Sequence, residues 1–186
     1  MKNNLPVVTD TRQSPYARLR PVPITAVSLG DGFWRRYTEL NISTMLEWQI
    51  RQLEKEGLLD SFRRAADVNH VPSRKRFAGD ARLYKWLEAA SWAMVDGISS
   101  DLEKTVEDCI DLIEAAQSSN GYINTNFPEA CAHERWTRVD TLHELFAAGH
   151  LIQAGIAHRR VRGKSRLFEI AVRFADHICK VFGPGK

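Results

Sequence analysis

The sequence predicts an all-α chain built from successive helical hairpins. Three observations carry that expectation. Apolar residues recur at helical spacing in five separate segments. Long and short connections alternate between those segments, as they do when helix pairs stack with tight turns at one end and functional loops at the other. The run 139–158, VDTLHELFAAGHLIQAGIAH, is apolar or small on nearly every side, the pattern of a helix buried all round.

Taken in order, residues 1–23 are polar and punctuated by proline, which predicts an extended or disordered tail. The stretch 24–29 (ITAVSL) reads as a short strand ahead of the Gly-Asp-Gly turn at 30–32. The first helix carries Ile42, Met45, Leu46, Ile50 and Leu53 and ends near Gly57. A loop of about twenty residues follows, basic at Arg74, Lys75 and Arg76. The second helix, 80–96, has the stripe Leu83, Trp86, Leu87, Ala90 and Met94. The third, 101–117, follows two serines with Asp101 as its cap and runs through Leu102, Val106, Ile110 and Ile113. After the loop SSNGYINTNFPEACAHERWT comes the fourth helix, 139–161, broken by Gly163. The fifth, 165–182, places Leu167, Ile170, Ala171, Phe174 and Ile178 inside. Five is an odd number for a hairpin architecture. One helix is left unpaired, and the chain reads as the front of something larger.

Composition narrows the function classes. With 186 residues, 44% hydrophobic and 26% charged, the chain is an ordinary soluble domain in size and content. No apolar run approaches a membrane span, and the N-terminus has neither an apolar h-region nor a small-residue cleavage site. The net charge of +3 is dispersed over faces that also carry acids, as in RQLEKEGLLDSFRR, so the surplus is not a nucleic-acid stripe. Cys109, Cys131 and Cys179 lie far apart without a C-x-x-C pair, which argues against a disulfide framework and against a self-contained zinc site. Cys109 continues the third helix's apolar stripe as a core thiol. A reducing cytoplasm suits all three.

Several polar residues stand on apolar ground. Gln49 falls on the apolar side of the first helix, as a buried hydrogen-bonding amide or as a ligand contact. His143 and Glu144 open an H-E-x-x-H metalloprotease pattern that fails, because Ala147 occupies the second histidine position. His150 lies about two turns beyond His143, too far along the axis to share one metal. By spacing alone both are satisfied core histidines or pocket groups. The loop at 117–125 (QSSNGYINT) turns on Asn120-Gly121. Either Tyr122 folds back onto the core behind a helix cap, or Asn124 and Thr125 reach a sugar from a rim. Trp136, Tyr122 and Phe127 are a sugar-stacking group or the loop's own hydrophobic cluster, whereas Trp34, Trp48, Trp86 and Trp92 are expected in the core.

Four segments together resemble one family. They are Gly32-Phe33-Trp34 followed by EWQIRQLEKEGLLDSFRRA, then GDARLYKWLEAASW, then DLIEAAQSSNGYINT, and finally RWTRVDTLHELFAAGHLIQAGIAH with the trailing ADHICKVFGPG. In this order they resemble the N-terminal part of glycoside hydrolase family 127, the β-L-arabinofuranosidase-like enzymes, over residues 24–186. The resemblance implies a truncated (α/α)6 barrel with β-sandwich domains to follow. It implies an enzyme that removes terminal β-L-arabinofuranose with retention, using a zinc-bound cysteine nucleophile and a glutamate acid/base. Metal and burial would keep such a sulfur as thiolate while a carboxylic acid protonates the leaving oxygen.

In that family the reacting groups are expected beyond Lys186. None of the three cysteines has the matching context, so the chain itself is expected to hold no catalytic residue and no cofactor, with zinc expected in the full-length enzyme. The resemblance carries His143, Gln49 and Asp80 over as substrate-binding residues. His143 and Gln49 are expected to share one cavity with Asp80 opening toward its rim, and His150 to lie away from it between helices. The family's D-S-D pattern reads Asp80-Ala81-Arg82 here, a departure that points to a different specificity. The implied partner is a carbohydrate, with no nucleic acid and no membrane. Self-association is expected through the unpaired fifth helix around Phe174 and Ile178. The isolated chain is expected to be inactive. The alternatives are a non-catalytic helical module that binds carbohydrate or another partner, and a degenerate remnant.

Overall fold

A computed structural model of the chain describes residues 6–67, 79–183 and 185, and among these residues every regular element is helical. The elements are α1 (Phe33–Leu40), α2 (Leu46–Lys55), α3 (Leu58–Ala65), α4 (Gly79–Ala93), α5 (Ser100–Ala116), α6 (Glu144–Arg162) and α7 (Arg166–Val181). The basic trio Arg74, Lys75 and Arg76, like residues 1–5, lies outside the described residues.

Two layers form. Helices α2, α4 and α6 lie side by side in front, and α3, α5 and α7 lie side by side behind, with each front helix followed in sequence by a back helix. This is the three-hairpin start of a helical barrel wall. The expected fifth-helix orphan disappears because of α3, which the sequence reading took for loop. Gly57 adopts a left-handed conformation (φ 75°) and turns the chain straight from α2 into the short amphipathic LLDSFRRA. Leu58, Leu59 and Phe62 of α3 are buried, and α3 packs on α5.

The hydrophobic stripes form the seam between the layers. Leu46, Ile50 and Leu53 of α2 meet Leu83, Tyr84 and Leu87 of α4, and behind them lie Val106, Ile110 and Ile113 of α5. Each such large side chain taken from water contributes on the order of 1.5–3 kcal/mol. Cys109 belongs to this core, where burial pushes its thiol pKa up to about 12, so it is an inert packing group. Trp86 is buried and its indole N–H donates to the Leu46 carbonyl at 2.9 Å, which ties α4 to α2.

Helix boundaries depart from the expectations in physically clear ways. The stretch 24–29 is no strand; it is a 3-10 turn at Ile24–Ala26 closed by Ala26 N–H to the Pro23 carbonyl and Val27 N–H to the Ile24 carbonyl. The first helix starts earlier, at Phe33, and passes through a π-turn at Asn41–Met45 before α2. The cap of α5 is Ser99, not Asp101, its hydroxyl accepting from the Leu102 N–H at 3.1 Å. Ser165 caps α7 in the same way through Phe168 N–H. The fourth predicted helix begins five residues late, at Glu144.

Close packing of α6 on α7 depends on Gly155, where an added Cβ would stand 3.0 Å from the Ala171 Cβ and 3.1 Å from the Leu167 carbonyl oxygen. An ion-pair ladder seals α5 to α7 on the outside: Arg166 reaches Glu107 and Asp111, and Arg173 reaches Glu114. The face around Phe174 is not open, as had been expected. Phe174 is buried beneath Tyr122 and Trp136, at ring separations of 5.6 and 6.2 Å. An exposed apolar surface lies instead on α1, where Phe33, Trp34, Tyr37 and Leu40 are all exposed.

Candidate functional site

The front layer turns a polar face away from the core. On α2 the helical period that buries Leu46, Ile50 and Leu53 leaves Trp48, Gln49 and Gln52 outward. On α4 the same geometry exposes Arg82, Lys85 and Ala89. Between the two helices these residues, with Glu56 and Trp86, line a groove of about 460 Å³. Arg82 spans its end in an ion pair with Glu56 at 2.5 Å. Thus Gln49 is not on the buried side of its helix. Trp48, 54% exposed, and Trp34, 70% exposed, are not core residues either.

The face continues onto α6. The Lys85 ammonium lies 4.9 Å above the Phe146 ring, a cation–π contact joining α4 to α6. Phe146 meets the His143 ring edge-on at 5.9 Å and the His150 ring at 4.7 Å. His143 itself is not inside a helix. It is the N-cap of α6, exposed, with φ 56° in the left-handed region. Histidine enters that region more readily than most residues, yet the conformation costs on the order of 1–3 kcal/mol. His143 is thus linked toward Gln49 through Phe146 and Lys85, but it is not among the residues lining the Gln49 groove. His150 shares the Phe146 side of α6, half-buried, contrary to its expected place away from this face. Desolvation lowers its pKa, and nearby Lys85 lowers it further.

Asp80 does not open toward the rim. It is 2% exposed, and its two carboxylate oxygens accept from the Thr125 backbone N–H at 2.7 Å and the Thr125 hydroxyl at 2.6 Å. Burial raises its pKa against the lowering by those bonds. Asp80 is thus the anchor that fastens the 117–128 loop to the first turn of α4. The loop is core material throughout 121–128. Tyr122, Ile123 and Phe127 are buried, and the Asn124 side chain accepts from the Asn126 N–H. The aromatics of this loop are its own hydrophobic cluster, with Arg135 stacked 4.2 Å over the Tyr122 ring.

A residue that the sequence reading passed over lies at the centre of this region. Glu144 is fully buried and accepts from the Tyr122 hydroxyl at 2.5 Å and from the Trp136 backbone N–H at 3.1 Å. Burial raises its pKa while those two donors and Arg135 pull it down. Trp136, also left-handed at φ 63°, donates its indole N–H to His177 Nε2, and His177 Nδ1 donates to the Asn120 carbonyl. Those two bonds define the neutral tautomer of His177. An acidic residue that opens an apolar helix was a signal of this network, masked in the sequence by the failed metalloprotease pattern.

Comparison with known proteins decides the lineage. The family model described as "Beta-L-arabinofuranosidase, GH127 catalytic domain" matches residues 26–186. The chain belongs to this GH127 family. It is 32% identical over 109 residues to a non-reducing end β-L-arabinofuranosidase of Bifidobacterium longum subsp. longum, a match covering 56% of this chain and 17% of that enzyme. Among solved structures it is similar to a GH127 β-L-arabinofuranosidase from Geobacillus stearothermophilus T6, with TM-score 0.80 and 33% identity, covering 86% of this chain and 26% of that one. A second GH127 β-arabinofuranosidase matches with TM-score 0.78 and 28% identity over 89% of this chain and 27% of its own. The chain therefore spans about a quarter or less of these relatives. It represents a glycoside hydrolase family in its helical, N-terminal portion.

Among the described residues no three His, Cys, Asp or Glu side chains converge to hold a metal ion. Cys109 is sealed in the core, Cys131 is buried under the loop and Cys179 is exposed on the back layer. Among the described residues no helix is long and apolar enough to cross a membrane.

Proposed function

We propose that this chain supplies one wall of the sugar cleft in a retaining glycoside hydrolase acting on terminal β-L-arabinofuranosides or closely related plant-type glycans. One observation carries the reading. On the front layer, Trp48, Gln49, Lys85, Phe146 and the cap residue His143 form a linked series of exposed polar and aromatic side chains. A furanose ring needs a flat apolar partner and fixed hydroxyl partners held on rigid elements. Trp48 and Phe146 provide the first, and Gln49, Lys85 and His143 the second. Asp80 serves behind the wall by holding the loop. The nucleophile and the acid/base are assigned to the part of the family enzymes that this chain does not cover. The activities of the relatives motivate this reading, and so does the resemblance. The buried thiols of Cys109 and Cys131 suit a reducing, cytoplasmic setting.

The test is a titration of the chain with methyl β-L-arabinofuranoside, followed by tryptophan fluorescence and by NMR of the imidazoles. Saturable quenching and movement of the His143 signals are expected, with a weaker response to methyl α-L-arabinofuranoside. No saturable response to either glycoside overturns the reading.

A further inference from the structure

Among the described residues only two other than glycine have a left-handed backbone, Trp136 and His143. Both converge on one carboxylate. Glu144 follows His143 directly in the chain and binds the Trp136 N–H. The same carboxylate takes the Tyr122 hydroxyl, and Tyr122 packs edge-on against the Trp136 ring at 5.3 Å. A helix that starts with a strained residue needs a fixed point beside it, since an unheld end frays into ordinary geometry. Nothing in the His143 side chain provides one, because it makes no cap hydrogen bond.

We infer that Glu144 is a positioning residue of the cleft. Its buried carboxylate clamps the Tyr122 and Trp136 segments to the first turn of α6. The clamp holds His143 left-handed and so places its imidazole beside Phe146. The inference rests on the reading that His143 meets the sugar, and it extends that reading to a residue with no path to solvent. Glu144 touches no substrate; it acts through the backbone of its neighbour. Tyr122 supports it from the loop that Asp80 fastens, so the chain of positioning runs from α4 through the loop to α6.

The experiment compares the wild-type chain with Glu144→Ala, Glu144→Gln and Tyr122→Phe. A left-handed residue gives a strong intraresidue amide-to-Hα Overhauser effect, which reports the His143 conformation directly. In Glu144→Ala this signal should be lost, with affinity for methyl β-L-arabinofuranoside falling at least tenfold and the helical circular dichroism unchanged. Glu144→Gln, which keeps an acceptor oxygen, should retain the signal and most of the affinity. Tyr122→Phe, the variant least able to unfold the chain, should weaken both in part. An intact His143 signal and unaltered affinity in Glu144→Ala would overturn the inference, as would an unchanged signal in Tyr122→Phe if the alanine variant does not fold. A wild-type chain that keeps the left-handed signal yet shows no sugar response refutes the sugar reading alone, and the signal in the variants still decides whether Glu144 holds His143.

Discussion

Asp80 grips Thr125 twice across 45 residues of sequence, through the backbone N–H at 2.7 Å and the hydroxyl at 2.6 Å. An acid at the start of a front helix is thereby committed to a loop that the sequence left open as either a core-packed cap or a sugar rim. Removing it strands a buried donor. Asp80→Ala should destabilise the chain by about 1.5–3 kcal/mol in urea unfolding, the range of hydrogen bonds to charged groups, with the orphaned buried donor costing about 1–3 kcal/mol by the same measure. A loss below about 0.5 kcal/mol would show that the anchor is dispensable.

The pH dependence of this anchor has a definite sign. The Asp80 pKa is raised in the folded chain above its ordinary 3.8, so the folded state takes up the proton first as pH falls. The stability of the wild type relative to Asp80→Asn should therefore grow as pH drops from 7 toward 4. Parallel urea curves at several pH values check this, and a difference that shrinks on acidification contradicts it.

His158 acts in the opposite sense. It is buried, its Nδ1 is bonded to the Ser165 hydroxyl at 2.8 Å, and desolvation lowers its pKa below 6.5. The unfolded chain then binds the proton first. The contribution is fully present above pH 6.5 and is lost as pH falls below it. Replacing His158 by Gln should reduce the acid-side slope of stability by up to one proton, about 1.4 kcal/mol per pH unit. Thermal unfolding between pH 7.5 and 5 measures it.

Two glycines of α6 should respond in opposite directions. Gly149 has open space where a Cβ would go, so Gly149→Ala should stabilise the chain by about 0.5–1 kcal/mol through helix propensity. Gly155 faces α7 at 3.0–3.1 Å, and Gly155→Ala should cost about 1–3 kcal/mol by forcing the helices apart. Melting temperatures of the two variants moving the same way would refute this account of the packing.

If the chain associates in solution, the aromatic surface of α1, with Phe33, Trp34 and Tyr37 all exposed, is the expected contact, ahead of the half-buried Ile178 of α7. Trp34→Gln with Tyr37→Gln should lower the association seen by sedimentation and the binding of an apolar dye. Substituting Ile178, half-buried on α7, should leave both unchanged.

What the sequence made legible was whatever depends on local periodicity. The stripes of α4, α5 and α7 and the break at Gly163 are present in the structure because each is decided within a few turns. The helix α3 escaped notice since eight residues with Leu58, Leu59 and Phe62 on one side are too few to display a period, and Gly57 reads as an ending. Trp34 and Trp48 misled for another reason. Their size predicts burial, but they stand on the side of the layer that the described residues leave open. The left-handed turn at His143 was invisible in a stretch that otherwise reads as continuous helix. What interrupts that helix is a bond from Glu144 to Tyr122, 22 residues away, and no local pattern announces it.

The tail gives the molecule a usable polarity. Arg160, near the far end of α6, donates to the Val7 carbonyl at 2.7 Å and also binds the Val8 carbonyl, while the Ile24 N–H closes back on Pro6 at 2.9 Å. Arg160 stands seventeen positions after His143, roughly 25 Å at the α-helical rise. A handle attached ahead of Pro6 would emerge at the end of α6 opposite the histidine. The chain could then be tethered to a sensor surface with the wall proposed to meet the sugar presented to the solution.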